Sequence, residues 1–408
     1  MKSKTLSLRL LLSFAVMFAA LTTVRSASAQ QETVFFNFDN GGPNSGSVPY
    51  SALISDSAGN FYGTEYGGSS SAGLVYELSP AAGGGWTQEI LHSFTLNSTD
   101  GNMPFGGVIL DRAGNLYGTT CAGGNSSNQG GTVFELKRTK NGWAEFILHS
   151  FGNFLDGGCP TSKLLFDSAG NLYGTTNGGG AHGNGTVFEL SHKFGAAWEE
   201  KILYNFASNN NSNVVSILVS DAAGNLYGTT QNGGAYYYYG TVFEVSPQAG
   251  GKWTETTLHS FNHDNNVDGF YPNGVVFDGQ GNLYGTTYGG GSSNSGVAYE
   301  LSRGSGGLWA ESIIFNFAIG NSASAVIFGP SGGLYGNTEH GGTGYGTVFN
   351  LSPQAGGAWT LTTLYNFAGG TDGEYPVDSL LVDSSGNLYG ITPSGGTYGG
   401  GTAYKIVP

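Results

Sequence analysis

The chain has 408 residues, 72 of them Gly, and only 10% of its residues are charged. Its 28 acidic side chains against 14 basic ones give a formal net charge of −14, a field unsuited to nucleic acid or anionic membrane surfaces. With 39% apolar residues and 25 Phe, the composition excludes a disordered glycine-rich chain and supplies a large core.

The N-terminus has the form of a targeting segment. Lys2, Lys4 and Arg9 precede an apolar stretch from Leu10 to Val24, and Ala27-Ser28-Ala29 resembles a cleavage site. The stretch is short for a membrane span. Residues 1–29 are therefore expected to be a signal peptide, with an uncleaved anchor as the alternative. Loss of Lys2, Lys4, Arg9 and Arg25 leaves 10 basic against 28 acidic residues, a balance of −18. No second long apolar run follows, and no hydrophobic tail precedes Pro408. The expectation is an exported monomer, periplasmic or extracellular, with no membrane span in its mature form and no nucleic-acid partner.

From residue 30 onward the chain repeats. The stretch Asp111 to Thr120 reads Asp-Arg-Ala-Gly-Asn-Leu-Tyr-Gly-Thr-Thr, and close copies begin at Asp167, Asp221 and Asp278. Looser copies begin at Asp56, Gly329 and Asp383. The seven tyrosines, from Tyr62 to Tyr389, are spaced by 55, 56, 54, 57, 51 and 54 residues. Such a period marks a repeat architecture.

One repeat, Gly107 to Phe151, shows what the unit contains. Val108-Ile109-Leu110 is a short apolar strand. Asp111 to Asn115 is a tight turn, in which Asp bonds the backbone and Gly supplies positive φ. Leu116 to Thr120 returns as a second strand. A loop with Gly123-Gly124 leads to a third strand, Thr132 to Leu136, and Trp143 to Phe151 alternates as a fourth. The predicted fold is an all-β, seven-bladed β-propeller of four-stranded antiparallel blades. Repeats fall at about 51–94, 107–151, 163–206, 216–261, 274–317, 325–367 and 379–408, within a single domain over 30–408.

The ends of the repeat array support a closed ring. Thr33-Val34-Phe35-Phe36-Asn37-Phe38 matches a fourth strand, whereas Thr402 to Ile406 matches a third. Residues 32–38 are therefore expected to complete the last blade and leave no bare sheet edge. The repeated Tyr-Gly suggests a large ring beside a place where a neighbouring blade comes close. Trp86, Trp143, Trp198, Trp253, Trp309 and Trp359 all open a fourth strand and read as packing elements.

The pattern D-x-x-G-N-L-Y-G-T-T, G-G, G-T-V-F-E-L, then Trp and a terminal Phe, resembles the GloVer tandem repeat of exported bacterial proteins. It runs from Asp167 to Phe206 and from Asp278 to Phe317. The resemblance implies export and a repeat fold. It also implies a choice-of-anchor C-terminus, which is not visible before Pro408. It carries no catalytic residue set.

Loops between second and third strands, and between blades, share one face and vary most, so a ligand is expected there. Three features lie on it. Asp-Gly-x-x-Pro recurs at Asp100, Asp156, Asp268 and Asp372. A ring of carboxylates for calcium or sugar hydroxyls is one reading, and a structural Asp-Gly turn is the favoured one. Calcium wants several oxygens from one loop, and each of these offers one Asp. The run Tyr236, Tyr237, Tyr238 and Tyr239 is either a sugar or protein contact or surface decoration. Tyr66, Tyr288, Tyr345 and Tyr398 occupy equivalent loops. Cys121 and Cys159 flank one blade and are expected to pair rather than remain free thiols.

No metal site, cofactor or catalytic set is expected. His92, His149 and His259 share one fourth-strand position with Tyr204, Tyr365 and Phe315, which reads as packing rather than as a base. The motifs of zinc proteases, P-loops and nucleophile elbows are missing. Two carboxylates for glycoside hydrolysis would have to come from different blades. The reading is an exported scaffold that binds a glycan or an exported protein. A secreted carbohydrate-active enzyme, hydrolase or lyase, is the alternative, and a purely structural surface protein is third.

Overall fold

The computed structural model describes the chain except residues 1–30, 40–47, 67–71, 97–98, 126–128, 153–154, 193–196, 208–216, 237, 263–267, 305 and 319–322. The expected signal peptide and Tyr237 lie outside the described residues. The described chain forms seven four-stranded antiparallel sheets. In blade 2 the strands are Val108–Leu110, Leu116–Thr120, Thr132–Thr139 and Gly142–Ser150, hydrogen-bonded in that order. The closing strand is where the sequence places it. Gln31–Asp39 pairs antiparallel with Gly399–Val407 and becomes the outer strand of blade 7.

Each residue of the repeated hairpin has a physical task. Asp111 Oδ1 accepts the backbone N–H groups of Ala113 (2.8 Å) and Asn115 (2.9 Å), and its Oδ2 accepts Asn115 Nδ2 at 2.8 Å. Gly114 takes φ 84°, open to Gly and strained for other residues. The Tyr117 hydroxyl donates to Glu135 at 2.7 Å and lies 3.3 Å from Asp111, its alternative acceptor.

The Tyr-Gly pair divides its work differently from the sequence expectation. The tyrosine meets the next blade: Tyr117 packs on Phe166 at 5.1 Å and lies 6.5 Å from Trp198. Gly118 makes room within its own blade, since a Cβ there would stand 2.6 Å from Phe134 Cζ and 2.8 Å from the Gly107 carbonyl.

The core is seven interblade layers rather than one centre. One layer joins Val75, Leu91 and Phe94 of blade 1 to Leu116, Phe134 and Leu136 of blade 2. The seventh joins Phe38 and Ala403 of blade 7 to Leu53, Leu74 and Tyr76 of blade 1, so the ring is closed. Among the described residues no helix is long and apolar enough to cross a membrane.

Candidate functional site

The first strands begin at the ring axis, and a chain of hydrogen bonds sets their spacing. Thr64 Oγ1 donates to the Pro104 carbonyl at 2.7 Å, and Thr286 Oγ1 donates to the Ser324 carbonyl at 2.7 Å. Both bonds pass from one blade to the next. Blade 7 has Ile391 in the threonine position, and there Asp378 Oδ2 accepts the Ala52 N–H at 2.6 Å instead. The result is an axial cavity of about 490 Å³, lined by residues from all seven blades. That volume suits a small ligand.

Four aromatic and three amide side chains contribute to the lining. Tyr50, Tyr271 and Tyr288 stand with Asn177, Gln231 and Asn273. Among the described lining residues the charged groups are one amine, Lys163, and one carboxylate, Asp378. Asp378 has φ 59°, a left-handed backbone that costs an ordinary residue about 1–3 kcal/mol. Its Oδ1 also accepts the Ser379 N–H, at 2.7 Å. Lys163 is enclosed by the blades, yet its surface faces the water-accessible cavity. Burial pulls its pKa below the ordinary lysine value, and Asp378 opposes that pull. Burial, with Asp378 and Glu339, pushes the Tyr50 phenol up.

The Asp-Gly-x-x-Pro aspartates stand away from this cavity, in the loops that join blades. Asp100 is 8% exposed. Its Oδ2 accepts Thr95 N (2.8 Å) and Oγ1 (2.9 Å), and its Oδ1 accepts Gly101 N at 2.8 Å. Asp268 accepts Asn262 N and Gly269 N in the same way, Asp156 accepts Gly152 N, and Asp372 accepts Ala368 N. The residue before each proline takes positive φ (Met103, Cys159, Tyr271 and Tyr375) and donates its N–H to the preceding blade. These contacts account for the motif as a blade-to-blade joint.

Cys121 and Cys159 form a disulfide across a separation of 38 residues. Cys121 belongs to blade 2, and the Cys159 carbonyl accepts Asn177 N of blade 3, so the bond straps neighbouring blades. Tyr236 and Tyr238 are 44% and 63% exposed, and Tyr239 is half-buried beside Phe270. None of the three lines the axial cavity, whereas Tyr288 does.

The histidines pack as expected, but they also meet carboxylates. His92 lies edge-on to Phe94 at 4.7 Å, and its Nε2 stands 3.5 Å from Asp100 and 3.6 Å from Glu145. His259 repeats this with Asp268 (3.5 Å) and Glu311 (3.6 Å), and His149 lies 3.6 Å from Asp156. A bulge causes the meeting. Strand pairing sets Ile90 opposite Tyr76 and His92 opposite Val75. Ile90 and His92, two residues apart, therefore point to opposite faces, and His92 turns toward blade 2. In each of the first two sets the nitrogen and two oxygens lie within 4.8 Å of one another, so the donor types would suit a cation as well as a shared proton. Burial is the largest influence on Glu145 and Glu311 and raises each to about 7.

The axial cavity lies on the loop face where the sequence placed a ligand, but sequence reading did not single out Lys163 or Asp378. Their signal was present as a break in symmetry. Lys163 occupies the position held elsewhere by Ala52, Gly107, Ile217, Gly274, Ala325 and Ser379. Asp378 occupies the position of Ser51, Gly106, Ser162, Ser216, Asn273 and Ser324.

Solved propellers resemble this chain in fold. Virginiamycin B lyase from Staphylococcus aureus aligns with TM-score 0.55 at 12% identity, covering 93% of this chain and 99% of that one. A streptogramin B lyase aligns with TM-score 0.54 at 12% identity, covering 93% and 97%. A protein from Lactobacillus plantarum gives TM-score 0.54 at 14% identity, covering 93% and 100%. No curated protein matches the sequence. The Gloeobacter/Verrucomicrobia repeat matches residues 21–221 and again 194–404, and the chain belongs to that family.

Proposed function

We propose that this protein is an exported, monomeric binding propeller that takes a glycan in its axial cavity. The observation that carries the reading is the lining. Tyrosine rings offer apolar faces with polar tips, and Asn177, Gln231 and Asn273 offer amide donors and acceptors for hydroxyls. Tyr66, Tyr236, Tyr238 and Tyr398 are exposed on the same face and extend the aromatic surface beyond the cavity. Export is supported by the leader's pattern and by the disulfide, a bond of oxidising compartments. The carbohydrate-active enzyme is the weaker reading. The two-carboxylate route to glycoside hydrolysis needs a pair, and the described lining supplies Asp378 alone.

The test is a glycan array on residues 30–408, with each bound sugar then checked for cleavage. Binding without turnover is expected. Gln231→Ala and Tyr288→Ala should weaken binding at least fivefold at unchanged Tm. Turnover would favour the enzyme. Silence across the array, or unchanged binding by both variants, would overturn the glycan reading in favour of a protein partner or a structural role.

A further inference from the structure

We infer that the axial cavity selects a saccharide end bearing a carboxylate, a terminal uronic acid, through the amine of Lys163. The inference rests on the glycan reading above and narrows it. The repeat does not require a lysine here: the equivalent residues are two Gly, two Ala, one Ser and one Ile. A half-buried amine still loses hydration that an ion pair would replace, and no described side chain forms a salt bridge with Lys163. Asp378 favours the charged amine from beyond salt-bridge contact. Both oxygens of Asp378 are already engaged by the backbone N–H groups of Ala52 and Ser379. The cavity therefore presents an amine with no carboxylate in direct contact, a place that a ligand's carboxylate can take.

The rest of the cavity limits what that ligand is. Asp378 disfavours a dianion but leaves lone pairs for a sugar hydroxyl. A chain with 28 acidic residues repels an extended polyanion, so a single charged end is favoured over the body of an acidic polymer. The Tyr50, Tyr271 and Tyr288 rings suit the apolar face of a sugar and give a free inorganic anion nothing.

The experiment is titration calorimetry at pH 7 on residues 30–408. The probes are disaccharides ending in glucuronate or galacturonate and their neutral glucose and galactose counterparts. The wild type should bind the acidic ends at least tenfold more tightly. Lys163→Met should lose that preference while holding neutral sugars within twofold, and Lys163→Arg should keep part of it. Tm should not fall in Lys163→Met, since the variant breaks no salt bridge and keeps an apolar stem of similar length. An acidic preference that survives Lys163→Met overturns the inference, as does equal affinity for neutral ends. Those outcomes leave the glycan reading standing, whereas failure of every saccharide to bind removes both. Sulfate or phosphate binding as tightly as the uronates would show a plain anion site and also refute the inference.

Discussion

Replacing Glu311 by Gln is expected to stabilise the ring at pH 8 and to leave it nearly unchanged at pH 5. Glu311 stands on the face of blade 5 that meets blade 4, its carboxylate 3.6 Å from His259 Nε2. Burial dominates, and although His259 pulls the other way, Asp268 adds to the rise, which carries the carboxyl from 4.5 to about 7. The folded state then binds its proton more tightly than the unfolded state. That contribution to stability is complete below about 4.5 and is lost as pH climbs through 7. Taken alone, the difference amounts to roughly 3 kcal/mol. Two effects reduce it to about 1–2 kcal/mol: water reaches part of the group, and its titration is shared with His259. Gln has the shape of the neutral carboxyl, so little is lost at pH 5, whereas at pH 8 the variant avoids a buried anion beside Asp268. For a ring of this size the gain is about 2 °C in Tm, read by scanning calorimetry at both pH values. Glu145→Gln, in the His92 set, should behave alike. An equal fall in Tm at both pH values would refute the reasoning, because it would mean an ionised Glu311 already pairs with His259. A zinc-dependent rise in the wild type that the variant lacks would refute it differently, by making the set a cation site.

The wild-type protein should be most stable near pH 4–5. Glu32, Glu65 and Glu200 are also raised to about 7, chiefly by burial. Asp56, Asp167, Asp221 and Asp383 lie below the ordinary value because turn hydrogen bonds outweigh a burial effect that alone would raise them. A Tm that climbs steadily from pH 5 to 8 would contradict this. Substituting both Cys121 and Cys159 by Ala removes a 38-residue closure, worth about 4 kcal/mol on chain-entropy grounds. An unchanged unfolding profile would show that the strap adds nothing. Phe38 is fully buried in the closing layer, so Phe38→Ala should cost about 3–5 kcal/mol and lower a single cooperative transition. Survival of six blades after a separate early transition would argue against closure as the source of cooperativity. Asp111→Ala should cost about 1–2 kcal/mol, because it strands turn donors, with ligand binding untouched on the opposite face.

Much of the fold was legible because repetition multiplies weak local signals. Asp-x-x-Gly-Asn is a turn by its own chemistry, since a carboxylate one residue before the bend can accept the N–H groups that the bend frees. Six copies, and a looser seventh at Gly329, at nearly constant spacing leave few architectures open. The split of one blade between Thr33–Phe38 and Thr402–Ile406 encodes the closure in the chain itself.

The sites were less legible for the opposite reason: they arise where blades meet or where all seven converge. His92 looks like the next residue of an alternating strand. The one-residue bulge that turns it from the face of Ile90 to the face of Val75 comes from pairing with blade 1's third strand, which alternation does not record. Its partners Asp100 and Glu145 come from the following loop and the next blade. Lys163 and Asp378 are 215 positions apart in the chain, and only ring closure brings them to one cavity. Local chemistry along the chain thus determined the hairpins, the number of blades, the joints between them and the closing strand. Tertiary structure alone decided which departures from sevenfold symmetry face one another, because the axis and the interblade faces exist only once the ring has closed.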